Sequence, residues 1–106
     1  ELDTAYARGV ELLQKRKYAK ALYILNDYND RNTVAAHLSL DHNERAMELL
    51  ATMPKDAVTE YLRAIACSRL GRKAEGREHF LEACRLDGRM EYRGNLDPEI
   101  AELLKQ

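Results

Sequence analysis

Apolar residues recur every three to four positions along almost the whole chain, with charged residues between them, which is the spacing of amphipathic α-helices and not of strands. The pattern predicts six helices in three hairpins, over 2–16 and 18–29, 32–40 and 43–53, and 55–70 and 73–86, then a seventh over 97–105. Residues 88–96 read as a loop. The breaks carry local chemistry. Pro54 ends the fourth helix, because proline cannot donate to a preceding turn and restrains the residue before it. Gly71 suits a left-handed helix terminus after Leu70. Asp97 before Pro98 and Glu99 is a helix start, with an N-cap acceptor, a proline in the first turn and an acid at the positive end of the dipole.

The second helices of the three hairpins share one arrangement: a small residue, a large apolar one four places on, and a further contact residue three places after that. Ala21, Leu25 and Tyr28 form the first such set, Ala46, Leu50 and Met53 the second, and Gly76, Phe80 and Ala83 the third. Twelve residues before each small residue stands another small or modest one, Gly9, Val34 or Ala64, so the two helices of a hairpin can approach closely. Ala21 to Ala46 is 25 residues and Ala46 to Gly76 is 30, a period that predicts stacked helical hairpins. In the tail, Leu96, Ile100, Leu103 and Leu104 make an apolar stripe suited to a helix capping the open end of the last hairpin.

The segment YARGVELLQKRKYAKALYIL resembles a tetratricopeptide (TPR) repeat, with Gly9, Tyr18, Ala21 and Leu25 on signature positions. LGRKAEGREHFLEACRLDG is similar to the second half of that motif through Gly71, Phe80, Ala83, Leu86 and Asp87. NTVAAHLSLDHNERAMELL keeps Ala46 and Leu50 behind a shortened first helix. The resemblance implies an all-α, right-handed solenoid of three TPR-like hairpins (2–29, 32–53 and 55–87), with a loop at 88–96 and a capping helix at 97–105, in one domain over 1–106. It implies a non-catalytic protein–protein interaction scaffold whose first helices present a groove of Tyr6, Val10, Leu13, Gln14, Leu38, Tyr61, Ile65, Ser68 and Arg69 to a protein or peptide. On that expectation Tyr61→Ala weakens binding by more than about 1 kcal/mol and leaves the melting temperature unchanged. The alternative is that the same stripe packs against a neighbouring domain or a second copy, as a spacer or dimerisation module. Carboxylate-clamp members of the family use Lys and Asn on these helices. Here Tyr6, Val10, Val58 and Leu62 stand at the corresponding places and only Asn32 is kept, so a chaperone-tail receptor is not expected. The phrase RGNLDPEI resembles the C-terminal helical domains of Bacteroides-type cell-envelope proteins, which implies the periplasmic side of a bacterial envelope, with the cytoplasm as the alternative.

Charge narrows the partners. Lys and Arg number 17 and Asp and Glu 18 among 106 residues, a formal net charge of −1, which gives no cationic surface for nucleic acid. No apolar run approaches the roughly 20 residues of a membrane span, so no membrane insertion is expected. Glu1 at the start points to a domain excised from a longer chain. Cys67 and Cys84 sit on opposite arms of the third hairpin, offset along its axis by roughly 13 Å, against the about 4.4–6.8 Å that a disulfide needs between Cα atoms. Two free thiols are expected.

Candidate chemistry is sparse. No HExxH, CxxC or EF-hand spacing occurs, and neither metal nor cofactor is expected. His37, Asp41 and His42 as metal ligands are weighed against a polar turn, and Cys67 with His79 as a nucleophile–base pair against core packing. In both cases the packing or turn reading is preferred. Arg69, Arg72, Lys73 and Arg77 could meet an anion, but Glu75 and Glu78 are interleaved with them and favour ion pairs along the helix.

Overall fold

The computed structural model of the chain describes residues 3–105. It is all-α, with no strand among the described residues: α1 (Thr4–Gln14), α2 (Tyr18–Leu25), α3 (Arg31–Ser39), α4 (Asn43–Leu50), α5 (Ala57–Arg69), α6 (Lys73–Leu86), α7 (Arg89–Asn95) and α8 (Pro98–Leu104). The chain divides between Leu49 and Leu50 into two compact units. The expected start of the first helix at Leu2 lies outside the described residues. No helix among those described is long and apolar enough to cross a membrane.

In the first unit, α1 and α2 form a hairpin around Leu12, Ala21 and Leu25. Gly9 makes it possible: a Cβ there would stand 2.8 Å from Leu25 Cδ2, closer than two carbons approach. Asp3 caps α1, and Asp30 caps α3 through a reciprocal box with Thr33, whose hydroxyl also donates to Leu25 O at 2.8 Å. Tyr28 and Met53, expected as the third contact of their helices, lie beyond the ends of α2 and α4. At Tyr28 the chain is already turning, with Asn29 at φ 53°.

In the second unit, α5 and α6 pair around Tyr61, Ala64, Ile65, Phe80 and Ala83, and Asp56 caps α5 with the same kind of box to Thr59. Residues 88–96, expected as a loop, contain α7. Its two flanking or internal glycines lower helix propensity, but Gly94 is required where it stands: a Cβ would lie 2.5 Å from the Phe80 ring. Met90 on α7 and Ile100 and Leu103 on α8 complete the core. Of the expected stripe only Ile100 and Leu103 face inward, while Leu96 is 71% and Leu104 43% exposed. Leu96 follows α7 as its C-cap, before α8 begins, so the helical spacing that the stripe assumed is broken. Asp97 and Pro98 start α8 as expected, and Cys67 and Cys84 are free thiols.

Three helix ends repeat. Arg16, Asp41 and Gly71, at φ 62°, 66° and 77°, follow α1, α3 and α5. After each, an N–H reaches back to the last turn: Lys17 to Leu12 O at 2.9 Å, His42 to His37 O at 2.8 Å and Arg72 to Cys67 O at 2.9 Å. This is the paired bonding of the Schellman terminus, and it recurs at the 25- and 30-residue intervals of the sequence pattern.

Candidate functional site

The first-helix face is built differently in the two units. In the first, Tyr6, Val10 and Leu13 are half-buried along α1 and Gln14 is exposed, while Leu38 on α3 is buried. The Tyr6 hydroxyl donates to Asp30 Oδ2 at 2.5 Å and accepts from Asn32 Nδ2 at 2.6 Å, and its ring meets Tyr28 edge-on at 4.8 Å. Burial raises the Asp30 carboxyl, but the bonds from Tyr6 and Thr33 outweigh it and hold that group below its usual range.

In the second unit the corresponding face is covered. Tyr61 is 1% exposed, under Phe80 and the Arg93 guanidinium, which lies 4.4 Å from its ring centroid, and its hydroxyl donates to Asp97 Oδ2 at 2.8 Å. Burial, then that bond, raises its phenol well above the ordinary value. Ile65 is buried, Ser68 Oγ donates to Glu99 O at 3.4 Å, and Arg69 makes a two-point bond to the Glu99 carboxylate at 2.7 and 3.1 Å. Helix α8 therefore occupies the surface on which Tyr61, Ile65, Ser68 and Arg69 were expected to receive a partner. The cationic cluster is engaged in the same way, with Lys73 3.8 Å from Glu102 and Arg77 donating to Leu103 O at 3.2 Å.

The open surface of the first unit lies elsewhere. A groove of about 610 Å³ is lined by Ala19, Leu22, Tyr23, Asn26 and Asp27 of α2 and its end, with Leu40 and His42 closing it. Tyr23 is 89% exposed. Sequence reasoning missed this groove, although a signal was present: Leu22 and Tyr23 are apolar residues off the buried Ala21 and Leu25 stripe of the same helix. Beneath His42, its Nδ1 is 3.0 Å from His37 Nδ1, and the buried His37 Nε2 has no partner. Burial first, then the neighbouring His42 and Arg45, holds the His37 imidazole below its usual pKa.

A second cluster joins α5 to α6. Glu60, 1% exposed, accepts from Arg63 Nη1 at 2.7 Å and lies 2.5 Å from His79 Nδ1. Arg63 is anchored in turn on Leu50 O and Met53 O. His79 Nε2 faces Glu75 Oε2 at 3.8 Å, and Cys67, fully buried, belongs to the same group. Burial, then the nearby Glu75 carboxylate, pushes the Cys67 thiol up to about 11. The fold thus brings together the Cys67 and His79 weighed in the sequence, and adds Glu60 and Glu75. No family model matches the chain, and no curated protein or solved structure matches it.

Proposed function

We propose that this chain is a non-catalytic protein–protein interaction module, a right-handed stack of three TPR-like hairpins closed by its C-terminal helices. Support for the hairpin reading comes from the three like helix ends after α1, α3 and α5 and from the Asp caps of those same helices. The contact surface is the α2 groove, and the observation that carries it is Tyr23, 89% exposed in a groove it lines with Leu22 and Leu40. An aromatic body with a polar tip contributes contact area at low entropy cost. Asp27 on the rim selects a segment with an apolar anchor next to a lysine or arginine.

A peptide-display selection on the whole chain tests this. Selected peptides should pair an apolar anchor with a basic neighbour, and Tyr23→Ala should weaken them at least about tenfold, roughly 1.4 kcal/mol, with an unchanged melting temperature. Peptides that bind Tyr23→Ala and Leu22→Ala as well as the parent would sink the reading. The rival, a spacer or dimerisation module, draws on Leu81, Tyr92 and Leu96 in the second unit, which are 63%, 72% and 71% exposed. Light scattering at rising concentration tests its dimerisation form, since a monomer at every concentration would exclude that form.

A further inference from the structure

The geometry points to a zinc-class metal site between α5 and α6, formed by the Cys67 thiolate, the His79 imidazole and the Glu75 carboxylate, with Glu60 orienting the imidazole. One ligand atom from each of the three lies within 4.8 Å of those of the other two. A tetrahedral zinc ion with bonds of about 2.0–2.3 Å sets its ligands about 3.5 Å apart, so the required closure is a small one. Glu75 and His79 stand one helical turn apart on α6, and the exposed Glu75 is free to swing on its own side chain. Cys67 comes from α5, and Gly76 lets the two helices meet there, for a Cβ at Gly76 would stand 3.1 Å from Cys67 Cβ.

The outer groups match what such a site needs. A metal-bound histidine commonly donates its other ring N–H to a carboxylate, which fixes the tautomer and aims the free nitrogen at the ion. His79 does this through its Nδ1–H to Glu60, which leaves Nε2 toward Glu75. Arg63 holds Glu60 in place, which gives a reason for a fully buried carboxylate in so small a unit. Sulfur with imidazole and one carboxylate suits zinc and disfavours the all-oxygen preference of calcium or magnesium. On binding, the Cys67 S–H loses its proton to solvent and a sulfur–metal bond forms. Thiolate and carboxylate then balance the dipositive ion, and water takes the fourth position. A bound ion would clamp α5 to α6.

The test is titration of the reduced full chain with Co²⁺ and then Zn²⁺. The site should give a near-ultraviolet thiolate-to-cobalt band, removed by one equivalent of Zn²⁺, and Zn²⁺ should raise the melting temperature. Cys67→Ser should abolish the band and Cys84→Ser should keep it. Glu75→Gln, at an exposed position that leaves the metal-free fold unchanged, should weaken Zn²⁺ at least tenfold. Absence of the band in folded protein, its survival in Cys67→Ser, or parent affinity in Glu75→Gln would each overturn the assignment.

Discussion

Tyr6 and Tyr61 are the same device in two surroundings. Each stands on the first helix of a hairpin, and each hydroxyl donates to an aspartate that caps a following helix, Asp30 at α3 and Asp97 at α8. Tyr6 stays half-buried beside Tyr28, whereas Tyr61 is 1% exposed under Phe80 and Arg93. The difference is made by α7 and α8, whose Met90, Ile100 and Leu103 join Tyr61 in a core. A tyrosine at this place in a hairpin therefore stays at the surface only while nothing else of the chain lies on it.

The sharpest way to break the comparison is truncation of both rings. Tyr61→Ala should cost about 3–5 kcal/mol, the range for deleting a buried aromatic, and lower hydrogen-exchange protection across α5, α6 and α8. Tyr6→Ala should cost much less, because its ring is already partly in water. Equal losses in urea denaturation would mean that the two faces are packed alike. This reverses the expectation for Tyr61 from sequence, where binding and not stability was to suffer.

Next in size is the contact that holds α7. Gly94→Ala should cost about 1–3 kcal/mol through overpacking against Phe80, while Gly88→Ala, with nothing within 4 Å of its added Cβ, should be near neutral. A neutral Gly94→Ala would remove α7 from the account of why Tyr61 is covered.

The smallest effect is on the open unit and depends on pH. His37 is held below its usual pKa in the fold, so the unfolded chain binds the proton more readily. Its contribution is complete above about pH 6.5 and is lost as pH falls toward the lowered folded value. Asp30 adds a second loss, beginning below about pH 4, the ordinary range of an aspartate, since its folded carboxyl is also depressed. His37→Gln should flatten the first window in thermal melts, and Asp30→Asn the second. An unchanged first window in His37→Gln would show that another group carries it.

What could be read from the chain was local. Asp97 and Pro98 start α8 because an N-cap acceptor and a preset φ act within one turn, and Gly71 ends α5 because its positive φ carries no steric cost. Amphipathic spacing likewise predicted the α1–α2 and α5–α6 hairpins, and Gly9 and Gly76 marked where their helices approach. The reach of α7 was not legible, since Gly88 and Gly94 argue against helix until the Phe80 ring that needs Gly94 is in place. Nor was the α2 groove, whose Leu40 and His42 lie far from Leu22 in sequence. Glu60 gave no sign of joining His79, 19 residues on, because their meeting depends on the register of α5 against α6. Most helix starts and stops follow from neighbours along the chain and could be read there, whereas α7 and the early ends of α2 and α4 could not. Which face is covered, and which polar groups converge, depends on pairs distant in sequence, and only the tertiary packing decided those.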